Sequence, residues 1–72
     1  MDEETRIKKD ISLFEINLKK LNEIVIAYNR KVVELATQYY NDSKYYLNKK
    51  DYFTAFGCIN YSHGLLDSII KF

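Results

Sequence analysis

The chain has 72 residues, a formal net charge of +1, no proline and a single cysteine. A chain of this length makes one small domain, residues 1–72, and buries only about 60% of the surface that its unfolded form exposes. The near-neutral charge excludes a strong electrostatic field for nucleic acid. Because Cys58 has no second cysteine with which to pair, we expect a protein of the reducing cytoplasm.

No segment favours export or a membrane. The N-terminus is acidic and lacks the apolar run of a signal peptide. The range 52–70 has the length of a membrane span, but Asn60, His63 and Asp67 interrupt it. We therefore predict no membrane partner.

The first half of the chain carries the strongest periodic pattern. Apolar residues recur there at alternating steps of four and three, which is a heptad stripe. A single helix over the whole stripe would be far longer than helices of ordinary globular domains. The β-branched run 24–26 also lowers helix propensity, so we predict a break between Asn22 and Ala27. The stripe consists of Ile7, Ile11, Phe14, Leu18, Leu21, Val25, Tyr28, Val32, Leu35 and Tyr39.

The second half predicts two helices joined by a short polar turn. Lys49 and Lys50 suit the negative end of the helix before the turn, and Asp51 is a good N-cap for the helix after it. So short a connection forces antiparallel packing. The pattern therefore predicts an all-α, three-helix up-and-down bundle, with helices at 4–22, 26–48 and 52–71. The alternative is one long helix plus a shorter antiparallel helix, completed by dimerisation.

About half of the chain resembles a known family. Its order and spacing of tyrosine, lysine, aspartate and small residues are similar to those of the domain of unknown function 357 family, found chiefly in archaea. The resemblance implies a three-helix up-and-down bundle and no assigned activity. One position departs from it, because Lys50 stands where the family usually has glycine. The matching residues are Tyr40, Asp42, Lys44, Tyr45, Tyr46, Leu47, Lys49, Asp51, Tyr52, Ala55, Tyr61, Gly64, Leu65, Leu66 and Asp67.

The last predicted helix carries few charges, although a surface helix normally has a charged outer face. Gly57 and Gly64 lie seven residues apart and allow a close backbone approach, as do Ala36 and Ser43 in the preceding helix. We expect these four small residues to pack the two helices against each other, or against a second copy; the alternative is that the glycines leave a groove for a ligand.

These features predict a non-enzymatic module for protein–protein interaction or self-association, without a cofactor. Its partner would be a second copy of the chain or a larger cytoplasmic protein. The predicted interface consists of Ala55, Gly57, Ile59, Gly64, Leu65 and Leu66.

Two other hypotheses remain open. Lys44, Tyr45, Lys49 and Lys50 interleave cations with an aromatic ring, a pattern that suits weak binding of single-stranded nucleic acid. In the other hypothesis, Asn60, His63 and Asp67 form a polar cluster that could hold a small ligand or a metal, since one helical turn separates imidazole and carboxylate. The alternative for this cluster is an ordinary hydrogen-bonded pair on a helix surface.

Overall fold

The computed structural model describes residues 2–70, and within this range the chain is helical without strands. The helices are α1 (Glu3–Lys19), α2 (Glu23–Tyr28), α3 (Arg30–Asn48) and α4 (Tyr52–Ile70). Contacts near both ends of the pair show that α1 runs parallel to α4: Tyr52 bonds to Glu4, and His63 bonds to Asp10. α3 runs in the opposite direction, because Tyr40 bonds to Glu15 whereas the later residues Lys44 and Leu47 lie beside Glu4 and Lys8. The predicted all-α, up-and-down bundle is therefore confirmed, and the single long helix is wrong.

The first break in the heptad stripe is made by Asn22. The Asn22 side chain accepts a hydrogen bond from the Val25 amide at 2.9 Å, and so caps the start of α2. The helix resumes at Glu23, whose carboxylate suits the positive end of the helix dipole. The break therefore lies before the β-branched run and not within it. A good N-cap decides where the new helix starts more strongly than the small loss of helix propensity at the β-branched residues does.

A second interruption, at Asn29, was not predicted. The Asn29 side chain donates to the Val25 carbonyl at 2.9 Å and competes with the backbone ladder. Its backbone leaves the helical region, with φ −122° and ψ 31°. α3 then begins without a side-chain cap, and Val33 donates to the Asn29 carbonyl at 2.9 Å.

These two interruptions change which positions face the core. The stripe is correct in α1, where Ile7, Ile11 and Phe14 are buried. Beyond the breaks it is wrong at Tyr28, which is 86% exposed, and at Leu35, which is 38% exposed. The buried apolar residues of the described chain are Ile7, Ile11, Phe14, Ala36, Ala55, Ile59, Leu66 and Ile69.

The contact between α3 and α4 is the most extensive in the bundle and is lined by small residues. Ala36 and Ser43 of α3, and Ala55 and Ser62 of α4, are all completely buried. The Ser62 hydroxyl donates to the Ala36 carbonyl at 2.6 Å, which shows how closely the backbones approach. The two small residues of each helix lie seven positions apart, so the small positions of α3 lie opposite those of α4. We call this contact the small-residue seam.

Gly57 and Gly64 do not belong to the small-residue seam. A Cβ atom added at either glycine would meet no atom within 4 Å. The expectation that these glycines seat α4 against α3 is therefore wrong, because Ala55 and Ser62 fill that role on the opposite side of α4.

The turn between α3 and α4 closes with a Schellman motif around Lys50. The Lys50 amide donates to the Leu47 carbonyl and the Asp51 amide donates to the Tyr46 carbonyl, both at 2.9 Å. Lys50 has φ 62°, a left-handed conformation that glycine adopts without penalty. The lysine costs about 1 kcal/mol relative to glycine there. Asp51 caps α4 by accepting from the Thr54 amide at 3.2 Å.

None of the helices within residues 2–70 combines the length and the apolar character needed to cross a membrane.

Candidate functional site

The predicted interface residues lie on opposite sides of α4. Ala55, Ile59 and Leu66 are 0% exposed and belong to the core of the bundle, so their assignment to an intermolecular surface is wrong. Leu65 is partly buried against the same core. The remaining two, Gly57 and Gly64, are exposed.

The most exposed residues of α4 form a strip of uncharged side chains, with the partly buried Asp67 at its edge. We call this strip the outer face. Phe53 is 91% exposed and Tyr61 is 52% exposed; Gly57 lies between these two rings, and Gly64 lies about one turn beyond Tyr61. Large exposed aromatic rings beside uncharged small residues are typical of surfaces that bind other proteins. The outer face consists of Phe53, Gly57, Asn60, Tyr61, Gly64 and Ser68.

Tyr61 is held in place by the neighbouring helix. Its ring packs edge-on against the ring of Tyr39 of α3, with the centroids 4.7 Å apart and the planes at 70°. A side chain fixed in this way loses little rotamer freedom when a partner binds. The centre of the outer face is therefore already rigid in the free chain.

The polar cluster predicted from Asn60, His63 and Asp67 is not assembled. The His63 ring turns towards α1, where Nε2 donates to the Asp10 carbonyl at 2.7 Å and the ring meets Phe14 edge-on at 5.8 Å. Asn60 lies on the outer face, and no hydrogen bond joins His63 to Asp67 in the described part of the chain. The prediction was wrong because packing against Phe14 decides the orientation of the ring.

Residues 2–70 contain no group of three or more His, Cys, Asp or Glu side chains placed to hold a metal ion. The remaining candidate for chemistry, Cys58, is partly buried. Burial raises the pKa of its thiol, and the carboxylates of Asp42 and Asp51 raise it further. The thiol is therefore held in its protonated, weakly nucleophilic form at neutral pH.

The residues of the nucleic-acid hypothesis lie towards the C-terminal end of α3 and the turn after it, but they do not form one cluster. The Lys44 ammonium lies 4.8 Å from the centroid of the Tyr40 ring and donates to its hydroxyl at 3.3 Å. The Lys49 ammonium lies 5.5 Å from the centroid of the Tyr45 ring. Tyr45 is 57% exposed, but it is already covered on one side by this cation. The hypothesis stays a prediction.

A groove next to this end is formed by α1, the end of α3 and the turn after it. It has a volume of about 310 Å³, and we call it the lysine groove. Its one carboxylate, Glu4, forms an ion pair with Lys8 at 3.0 Å and accepts from the Tyr52 hydroxyl at 2.8 Å. The groove is lined by Glu4, Lys8, Lys44, Leu47, Asn48 and Lys50.

Two tyrosine–carboxylate hydrogen bonds fasten α1 to the other helices, and the sequence reasoning missed both. The Tyr52 hydroxyl donates to Glu4, and the Tyr40 hydroxyl donates to Glu15. Burial, and then the bond to Glu15, raise the pKa of Tyr40. The bond to Glu4 likewise raises the pKa of Tyr52. These partners are far apart in the sequence, so no local pattern signals them.

These bonds predict a loss of stability at alkaline pH. A phenol whose pKa is raised in the folded state contributes stability that is complete below its ordinary pKa of 10.0 and is lost as the pH rises towards the raised value. We expect the free energy of unfolding to fall above about pH 10, and to fall less steeply in Tyr40→Phe. Urea unfolding at a series of pH values around and above pH 10 measures this fall in the free energy of unfolding. Tyr45→Phe, which removes no bond to a carboxylate, should behave as the wild type, and equal slopes in all three chains would contradict the prediction.

The fold and the site together define a small all-α bundle whose distinctive surfaces are an uncharged helix face and a cationic groove. A family model described as "Protein of unknown function (DUF357)" matches residues 9–72. The match covers most of the chain, so the protein belongs to this family. No curated protein matches the chain.

Proposed function

We propose that the protein is a non-enzymatic association module of the cytoplasm that pairs with a second copy of itself through the outer face of α4. The observation that carries this proposal is the absence of charge on the outer face, combined with its symmetry. The raised pKa of the Cys58 thiol and the engagement of His63 with a backbone carbonyl support a role without catalysis.

The outer face is complementary to itself. A two-fold axis between Asn60 and Tyr61 would set two α4 helices antiparallel, and each residue would then face the one equally far from the axis. The large Phe53 ring would then pack against a small serine, and each glycine would lie opposite a glycine of the other copy. The side-chain amide of Asn60 would lie opposite a tyrosine hydroxyl. The pairs are Phe53 with Ser68, Gly57 with Gly64, and Asn60 with Tyr61.

The glycines support the same arrangement. Each costs about 1 kcal/mol relative to alanine inside a helix, and neither is needed for packing within the chain. A glycine pair on each helix would let the two backbones approach closely, so that the flanking rings of Phe53 and Tyr61 make contact. One pair of helix faces is a small interface, below about 1,200 Å², and we expect association in the micromolar range.

Disulfide cross-linking tests the position of the axis. In a Cys58→Ser background, Asn60→Cys places two thiols beside the two-fold axis, where Cα atoms within about 7 Å can form a disulfide. We expect mild oxidation to give a covalent dimer in good yield. The control is Gln38→Cys, an exposed position on α3. Equal cross-linking of both variants would contradict the proposed geometry.

A bulky side chain at the centre of the outer face tests the association itself. Gly64→Leu has room in the single chain, but it would block the close approach of two helices. We expect the dissociation constant of the dimer, measured by analytical ultracentrifugation, to rise by about tenfold or more, equivalent to about 1.4 kcal/mol. Gln38→Leu is the matched control and should leave the dissociation constant of the dimer unchanged. A wild-type chain that stays monomeric at high micromolar concentration would overturn the proposal.

A further inference from the structure

The lysine groove contains more positive charge than the fold requires. Lys8 neutralises Glu4, whose second oxygen is occupied by the Tyr52 hydroxyl. Lys44 and Lys50 have no carboxylate within 4.0 Å in the described part of the chain. The three lysines and one glutamate of the lining therefore leave two cations without a direct ion pair, although Lys44 and Glu15 share the Tyr40 hydroxyl. The acidic side chains of Asp2 and Glu3 line a separate groove on the other side of Glu4.

Lys50 is placed there against the preference of the backbone. Its φ of 62° is the conformation in which glycine is the most stable residue, and the Schellman motif around it needs no side chain. A strained residue that stability alone would replace is an indication of function. The lysine at this position adds a cation to the rim of the groove, which glycine could not do.

Lys44 is already held in position for a ligand. Its ammonium lies over the Tyr40 ring at 4.8 Å and donates to the Tyr40 hydroxyl at 3.3 Å. The Tyr40 ring is itself stacked on the buried Phe14, with the centroids 4.9 Å apart. One ammonium donor is used by Tyr40, and the others remain available to an anion.

The geometry points to the lysine groove as a binding site for a phosphate-class anion, held chiefly by Lys44 and Lys50. Two ammonium groups without a direct ion pair match the charge of a phosphate dianion, and lysine is a common phosphate ligand. The volume of about 310 Å³ exceeds that of one phosphate, so a short oligophosphate is the expected ligand. Asn48 adds an amide donor, and Leu47 forms an apolar part of the wall.

Titration with inorganic tripolyphosphate at low ionic strength tests the site, because salt screens such contacts. We expect saturable binding by calorimetry to the wild-type chain. Lys50→Gly separates binding from folding: its melting temperature without ligand should rise by about 4–8 °C, because the strain is removed, while its affinity should fall about tenfold. Lys44→Ala should lose affinity to a similar extent.

Lys49→Ala is the matched control. It removes the same charge one residue away, but Lys49 lies against Tyr45 and does not line the groove. If Lys49→Ala and Lys50→Gly weaken binding equally, the effect is general electrostatic attraction and the site is overturned. Unchanged affinity in Lys50→Gly would overturn it as well.

Single-stranded RNA in a parallel titration distinguishes the source of the phosphate. Binding of RNA that depends on Tyr45 and Lys49, without binding of tripolyphosphate, would overturn the oligophosphate site in favour of nucleic-acid recognition. Neither titration depends on the outer face of α4, so Gly64→Leu should bind tripolyphosphate as the wild type does. The failure of one proposal is therefore distinguishable from the failure of the other.

Discussion

Replacing Phe14 with alanine is expected to destabilise the chain by about 3–5 kcal/mol. Phe14 of α1 is 0% exposed and packs against both of the other long helices. Its ring stacks on Tyr40 of α3 at 4.9 Å and receives the edge of His63 of α4 at 5.8 Å. Removing it leaves a cavity where the helices meet, and it also releases the His63 ring whose orientation it sets. Thermal and urea unfolding at low concentration measure the loss.

The expected loss is about half of the total stability or more. At about 0.1 kcal/mol per residue, a chain of this size has on the order of 7 kcal/mol. The matched control is Leu13→Ala, one position away on α1, because Leu13 is 47% exposed. It should change the free energy of unfolding by less than about 0.5 kcal/mol. Similar losses in both variants would show that α1 is not anchored through Phe14.

Enlarging Ala55 to leucine should destabilise the chain by about 1–3 kcal/mol. Ala55 is completely buried in the small-residue seam, where it lies level with Ser43 of α3 in the antiparallel register. A larger side chain would push the two backbones apart and weaken the hydrogen bond of 2.6 Å from Ser62 to the Ala36 carbonyl. Urea unfolding and the loss of amide protection at Ser62 would report this separation.

A substitution two residues after Ala55 is expected to change the free energy of unfolding in the opposite direction. Gly57→Ala should stabilise the single chain by about 1 kcal/mol, because a Cβ there meets nothing and alanine is the better helix former. The comparison must be made at concentrations where the chain is monomeric. If Gly57→Ala also destabilised the single chain, the assignment of the two sides of α4 would be wrong.

The helical content and the antiparallel α3–α4 pair could be predicted because they depend on local signals. The turn has a cap residue at Asp51 and cations at the preceding helix end, and both lie within a few residues of their targets. The cap at Asn22 was missed, although an asparagine followed by a glutamate is a local start signal; only a break between Asn22 and Ala27 was predicted. The interruption at Asn29 was not predicted either, because asparagine inside a helix more often faces solvent.

The candidate site was predicted less well, because it depends on small rotations of α4. Ala55 and Gly57 are both small and were assigned to one interface, although two residues of helix place them on nearly opposite faces. The hydrogen bond from Ser62 to α3 decides between them. The tyrosine–glutamate bonds and the lysine groove join residues from distant parts of the chain, so they are visible only after the helices are packed.

The tight turn at Lys49 and Lys50 also governs the order of assembly. α3 and α4 are adjacent in the chain, so their pairing closes a very short loop at small entropic cost. By contrast, the bonds from Tyr52 to Glu4 and from His63 to Asp10 span 48 and 53 residues. The hairpin of α3 and α4 is therefore the natural nucleus, and α1 docks afterwards onto a surface that already exists.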